Sequence, residues 1–257
     1  MPTMLQRLHK YTGLAAAALF LAALPAQANL VEKSDDHAYE NGASVDEDPL
    51  SPVNHAIYRF NYTFDGLVLK PVTMVYRGVV PEPGQEMVHN ALTNLYMPVV
   101  FANSVLQVDP YNSFASMWTF FLNSSFGLAG TFDFAGQYGP YYRMTDFGQT
   151  LAIYGAGTGP YIVLPIIGPS NGRDTVGRVA DAFLNPFNYI GWGFSAGYWG
   201  ATAIDKRSQN MQLIDDIYRT SVDPYTTFRS GYLQKRASDN KRAKEAHERL
   251  LTDESDK

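Results

Sequence analysis

Gly193-Phe194-Ser195-Ala196-Gly197 places a serine in the GxSxG spacing of a nucleophile elbow, which α/β-hydrolases hold between a strand and a helix. Such a serine needs an acid and then a histidine downstream, and the histidine that follows is His247, in a highly charged tail. A lipid hydrolase using Ser195 is therefore one reading, while small residues at a helix start explain the pattern as well. Gly155-x-Gly157-x-Gly159 departs from the GxGxxG of dinucleotide sites, and Pro160 follows at once with no βαβ pattern around it. His37, His55, His89 and His247 are scattered without ligand spacing, and Asp46, Glu47 and Asp48 read as a solvated linker. The expectation is no catalytic residues, no metal site and no cofactor.

The elements around these residues read as helices. Ser51 and Pro52 supply an N-cap and a first-position proline. Val53, Ile57, Phe60, Phe64, Leu67 and Val68 then recur at helical spacing until Pro71. Pro81 and Pro83 precede a helix through Met87, Ala91, Leu92 and Leu95, Pro98 starts another, and Asp109-Pro110 opens a third. Phe114, Met117, Trp118, Phe121 and Leu122 form the stripe of that third helix, and Phe120 lies off it. Trp118, Phe120 and Phe121 are thus candidates to face acyl chains. Asn171 and Gly172 lead into a helix carrying Val176, Val179, Ala180 and Phe183, and a longer helix is expected over residues 196–218. An outer-membrane β-barrel would need many ~10-residue alternating segments, which this chain lacks, and its prolines fall mid-segment. The fold class expected is all-α, a single-domain ring-like or compact bundle of amphipathic helices.

Arg7 and Lys10, an apolar run over residues 14–24 and Ala26-Gln27-Ala28 have the form of a cleavable export signal over residues 1–28. The polar, acidic residues 29–48 read as a flexible linker, residues 49–236 as the folded domain, and residues 237–257 as a charged tail forming a solvated helix that frays. Export permits disulfides, yet the chain has no cysteine, which also excludes an acylated one. Loss of the signal leaves 18 basic against 25 acidic residues, a net charge of −7, so a nucleic-acid partner is not expected. No segment after the signal has the ~20 apolar residues of a spanning helix. Tyr and Trp are abundant, and both suit membrane interfaces, so a monotopic protein in one leaflet is expected.

DFGQTLAIYGAGTGPYIVLPIIGPSNGRD (residues 146–174) joins a nearly uncharged, glycine- and proline-broken core to polar ends. Its apolar residues must be buried or lie against lipid. The stretch resembles the signature of the MlaA/VacJ family of outer-membrane phospholipid-transport proteins. DPLSPVNHAIYRFN (48–61), LNSSFGLAGTFDFA (122–135) and SVDPYTTFRSGYLQKR (221–236) resemble the family's other blocks in the same order. The chain departs from the family pattern at Val53 and His55, and in lacking the cysteine that members acylate. The resemblance implies a ring-like helical protein in the inner leaflet of the outer membrane, on its periplasmic side. There it would remove misplaced phospholipid from the outer leaflet, associate with a porin trimer and pass lipid to a periplasmic carrier protein. A porin-associated structural adaptor is the alternative.

Moving a diacyl lipid through water would expose some 30 methylenes, at a cost above ~20 kcal/mol, so a transporter must offer a polar path inside an apolar wall. Gly155, Gly157, Gly159 and Pro160 are candidates to line that path through close backbone approach and bending. Arg173 could meet a phosphate. A surface pair with Asp174 or Asp181 would explain Arg173 equally well.

Overall fold

The computed structural model describes residues 48–255. The expected signal and nearly all of the expected linker lie outside them. Within that range the protein is all-α apart from one short hairpin. Helix α1 (Ser51–Phe64) passes through one π-helical turn (Asp65–Leu69) into α2 (Lys70–Val79), followed by α3 (Glu82–Leu106), α4 (Pro110–Ser125), α5 (Phe134–Tyr138) and α6 (Phe147–Ile153). Strands β1 (Tyr161–Leu164) and β2 (Gly168–Asn171) pair antiparallel, Tyr161 opposite Asn171 and Leu164 opposite Gly168. Then come α7 (Gly172–Leu184), a 3₁₀ turn (Pro186–Tyr189), α8 (Trp192–Gln209), α9 (Met211–Thr220) and the long α10 (Pro224–Ser255). No helix among the described residues is long and apolar enough to cross a membrane.

Several helix starts follow from local chemistry as expected. Asp109 caps α4 by accepting from the Asn112 amide at 2.9 Å, and Asn171 caps α7 by accepting from the Asp174 amide at 2.7 Å. Elsewhere the proline punctuation misleads. Ser51 is already helical, and its hydroxyl pairs with His55 Nδ1 rather than capping. Pro71 ends nothing, because Lys70 donates five residues back to the Asp65 carbonyl and the proline, which has no N–H, falls where the register changes. Pro98 lies inside α3 instead of opening a helix. The single helix expected over 196–218 is two, divided at Asn210, whose side chain turns back to the Lys206 carbonyl.

The core is the reverse of that in a water-soluble bundle. Among the described residues, 24 polar or charged side chains are buried against 11 hydrophobic ones, while 35 large hydrophobic side chains are exposed. A buried polar group and a broad exposed apolar surface are each the informative exception in a soluble protein, and here they occur together. On α4 the buried row is Asn112, Ser116, Thr119 and Asn123, and the exposed row is Tyr111, Phe114, Trp118 and Phe121. Both rows repeat at helical spacing. On α1 and the π-helical turn after it, the expected stripe likewise points outward at Val53, Phe60, Leu67 and Val68, and the buried residue of α1 is Asn54.

A small apolar core remains where Tyr161, Val163 and Tyr225 meet, with Ile57, Tyr58, Tyr232 and Leu233 packed around them. Asp48, expected in the solvated linker, instead belongs to this region, accepting from Asn54 Nδ2 at 2.9 Å and from the Tyr225 hydroxyl. The tail does not stand free either. Helix α10 continues through it, Ala243 is fully buried, and His247 Nδ1 lies 2.8 Å from the Gln107 carbonyl, with the His247 ring edge-on to Tyr154. Docking wins because every third or fourth residue of the tail is small or able to hydrogen-bond, which its overall charge conceals.

Candidate functional site

The hairpin is held by one face of α1. Asn54 donates to the Tyr161 carbonyl at 3.0 Å and accepts from the Val163 amide at 2.8 Å. Two turns later, Asn61 donates to the Leu164 carbonyl at 2.9 Å and accepts from the Ile166 amide at 2.7 Å. The side-chain amides at this i, i+7 spacing thus stand in for a third strand along β1. Ile166 has φ +66°, a strained value for a β-branched residue, and Asn61 holds it there. Ile166 and Ile167 at the hairpin tip are exposed.

Behind the hairpin, a charge cluster ties α6, α7 and α10 together. Arg236 Nη1 donates to Asp146 Oδ2 at 2.7 Å, and Nη2 donates to Asp146 Oδ1 at 3.1 Å and Asp174 Oδ1 at 2.8 Å. Its Nε lies 2.6 Å from Asp174 Oδ2 without the alignment of a hydrogen bond. Asp174 also accepts from Asn171 Nδ2 at 2.8 Å and from the Tyr232 hydroxyl at 2.5 Å. Burial raises the Asp146 carboxyl, but the hydrogen bonds and charge of Arg236 outweigh it and leave that group below its ordinary value. Helices α6 and α7 come this close because Gly177 backs onto Gly148; a Cβ at Gly177 would sit 2.4 Å from the Gly148 nitrogen.

Asp181 is the neighbouring buried acid, and its hydrogen-bond donors are uncharged. It accepts from Asn103 Nδ2 at 2.7 Å, the Phe147 amide at 3.1 Å and the Tyr96 hydroxyl at 3.5 Å. Burial pushes its carboxyl up to about 6, with the charge of Asp146 adding to the rise against these hydrogen bonds. A folded pKa above the unfolded one means that this group's favourable contribution is complete below its unfolded value and lost as pH rises through about 6. Asp181→Asn keeps an acceptor and removes that dependence. The expected result is a gain of up to ~3 kcal/mol at pH 7 and none at pH 3.5, read by denaturant unfolding at the two pH values.

A cavity of about 560 Å³ opens in front of α6. Its wall includes Thr119 from α4, Asp133 before α5, Tyr142 and Arg143 from the following loop, Gln149 from α6 and Arg242 from α10. Asn112 holds the Arg143 backbone from both sides, accepting from its amide at 2.6 Å and donating to its carbonyl at 3.0 Å. The Arg143 guanidinium reaches Asp109 only at 3.4 Å, and its Nε has no partner. Thr119 is 2% exposed and its hydroxyl is likewise unpartnered. One helix therefore presents Thr119 to this cavity and Trp118 and Phe121 to the exterior.

The glycine stretch is only partly gathered to one place. The Arg173 amide donates to the Thr158 carbonyl at 3.1 Å, Arg173 Nη1 to the Ala156 carbonyl at 3.1 Å, and the Gly172 amide to the Pro160 carbonyl at 3.0 Å, which clip the loop to the start of α7. Gly159, with φ +69°, favours glycine by conformation, and a Cβ there would make ordinary contact with Gly172 Cα at 3.4 Å. Gly155 and Gly157 face open space, so the close approach expected at Gly157 is absent. Arg173 is buried and pairs with Asp174 at 3.4 Å, not with Asp181. Trp118 and Phe121 are exposed, and Phe120 is half-buried.

Ser195 lies in the first turn of α8, not after a strand, and its hydroxyl donates to the Asn188 and Gly191 carbonyls at 3.2 and 3.1 Å. His247, the histidine a hydrolase would need, is occupied at Gln107. No group of three or more potential metal ligands occurs among the described residues. The cavity residues Arg143 and Arg242 were not singled out by their surroundings in the sequence. The one signal that pointed here was the polar row of α4 at helical spacing.

Comparison with known proteins places the chain firmly. A model of the MlaA lipoprotein family matches residues 46–239. The chain is 37% identical over 192 residues to the intermembrane phospholipid transport system lipoprotein MlaA of Escherichia coli (strain K12), covering 73% of this chain and 76% of that one. It is 34% identical over 193 residues to the protein of the same name from Haemophilus influenzae, with the same two coverages. A solved structure described as the structural basis for maintenance of bacterial outer membrane lipid asymmetry superposes with a TM-score of 0.66 at 33% identity, covering 78% of this chain and 99% of that one. The chain belongs to the MlaA lipoprotein family.

Proposed function

We propose that the protein is a non-enzymatic component of intermembrane phospholipid transport. It removes misplaced phospholipid from the outer leaflet of the outer membrane through an amphipathic channel and passes it to a periplasmic carrier protein, maintaining lipid asymmetry. The names of its relatives support the transport role, and the resemblance supports association with a porin trimer. The observation that carries the mechanism is the inverted α4, with Asn112, Ser116, Thr119 and Asn123 inward and Phe114, Trp118 and Phe121 outward. Of the inward row Thr119 lines the cavity that would take a headgroup while Asn112 and Asn123 hold its wall, and the surrounding acyl chains need the outward row, so one helix thickness separates the two solvents. Since the chain has no cysteine, we assign its attachment on the periplasmic side to this apolar surface.

The test has two readouts on the same preparation. Lipid mass spectrometry of the purified protein is expected to find phospholipid bound, which an adaptor that only holds porins would lack. Phe121→Asp sets a charge against acyl chains, costing about 2.5–3.5 kcal/mol at membrane depth and less near the interface. Flotation with vesicles is expected to fall while the far-UV circular dichroism in detergent persists. A protein free of phospholipid, or a folded variant that floats unchanged, overturns the proposal.

A further inference from the structure

The cavity in front of α6 carries charges of both signs that the fold does not use up. On its wall, Arg143 and Arg242 are matched by Asp133 and Asp239. Asp239 is fully engaged, accepting from Lys235 at 2.7 Å and Arg242 at 2.6 Å. Arg143 and Asp133 are not. Arg143 keeps an unpartnered Nε and a long 3.4 Å contact to Asp109. Asp133 uses Oδ1 for the Gly136 amide at 2.9 Å and Asn123 Nδ2 at 3.1 Å, which leaves Oδ2 available to a further donor. Between α4 and this wall, the Thr119 hydroxyl is buried without a partner.

Resting on the phospholipid reading, we propose that this cavity is a subsite for a zwitterionic phosphoethanolamine headgroup, with its phosphodiester at Arg143 and Thr119 and its ammonium at Asp133. An anionic headgroup would satisfy Arg143 but offer Asp133 at most a neutral hydroxyl donor, weaker than a charged ammonium. A quaternary ammonium has no N–H to give Asp133 Oδ2. A primary ammonium gives three, so the loosely paired Arg143, the free carboxylate oxygen of Asp133 and the unpartnered Thr119 hydroxyl are all used by one ligand. Exposed Tyr141 and Met144 at the rim leave room for the glycerol and the first methylenes to exit toward the apolar exterior.

Binding of dihexanoyl phosphatidylethanolamine and dihexanoyl phosphatidylglycerol to the purified full chain in detergent tests the assignment. The ethanolamine lipid is expected to bind about tenfold tighter, the worth of one charge-assisted hydrogen bond. Arg143→Gln is expected to weaken both lipids by about tenfold. Asp133→Asn, which keeps the helix cap, is expected to reduce the ethanolamine lipid to the level of the glycerol lipid. Glycerophosphoethanolamine is expected to compete and inorganic phosphate not to. Circular dichroism checks that each variant is folded. Equal binding of the two lipids by the native chain overturns the subsite while leaving the transport reading intact. Competition by inorganic phosphate at the same concentration identifies a free-anion site instead and overturns the headgroup assignment. Absence of binding by either lipid overturns both readings.

Discussion

Arg236→Met is expected to destabilise the protein by about 3–5 kcal/mol, the cost of leaving buried carboxylates without their cation. The methionine fills much of the volume, so the loss reports charge rather than packing. Asp146 and Asp174 both turn to this one guanidinium, and both line the junction of α6, α7 and α10. The pH dependence identifies the cause. In the native protein the depressed Asp146 contributes stability above its unfolded value and loses it as pH falls through the folded one. Without Arg236, burial is opposed only by the Gln149 hydrogen bonds, and the Asp146 carboxyl rises. The deficit should therefore be largest near neutrality and shrink on acidification toward pH 4. Adding Asp146→Asn and Asp174→Asn to Arg236→Met should restore much of the stability, because a neutral buried cluster no longer lacks a cation. A pH-independent deficit in urea unfolding, or no recovery in the triple variant, would show that packing and not charge holds this junction.

Asn54→Leu is the second large effect. The substitution is close to isosteric, yet it orphans the Val163 amide and the Tyr161 carbonyl and releases Asp48. Val163 is 2% exposed, so water cannot compensate. At about 1–3 kcal/mol for each unsatisfied buried group, the expected loss is roughly 2–5 kcal/mol. Asn61→Leu should cost less in stability, since Asn61 is only partly buried, but it should free the strained Ile166. Amide hydrogen exchange separates the two. Protection of Val163 should collapse in the first variant, and protection of Ile166 in the second. If both amides remain as protected as in the native chain, the asparagines do not anchor the hairpin.

The helical class, the caps at Asp109 and Asn171 and the existence of apolar stripes on α1 and α4 were legible in the sequence, because each depends on residues within a few positions of one another. The direction of the stripes was not. Periodicity reveals that Phe114, Trp118 and Phe121 share a face, but the surrounding solvent decides whether that face is a core. The buried row at Asn112, Ser116, Thr119 and Asn123 carried the missing information, since four polar residues at helical spacing have no reason to be so regular unless they too pack. Asn54 and Asn61 show the same i, i+7 order, but the strand they hold lies more than a hundred residues away, with no local mark of the pairing. In the sequence Arg173 reads equally as a cation that could meet a phosphate and as a surface partner of Asp174 or Asp181. Folding instead directs Nη1 to the Ala156 carbonyl and Nε to Asp174, leaving Nη2 buried without a partner. The cavity cations were hidden for a related reason, as Arg242 sits in a tail whose mixed charge resembles a solvated helix.

Inverted packing also weakens the usual calorimetric signature. In a water-soluble protein, unfolding wets apolar surface and raises the heat capacity, which curves the stability profile and brings on cold denaturation. Here Phe114, Trp118, Phe121 and their neighbours are already outside and would stay coated by detergent or lipid, while the newly wetted groups are Asn103, Asn112, Thr119, Asn171 and others like them. Hydration of polar surface lowers the heat capacity, by roughly 0.26 cal/mol/K per Å² against a rise of about 0.45 for apolar surface. The two contributions partly cancel, so the stability of this protein in a membrane-like medium is expected to vary more nearly linearly with temperature, with little loosening on chilling, as calorimetry in detergent would show.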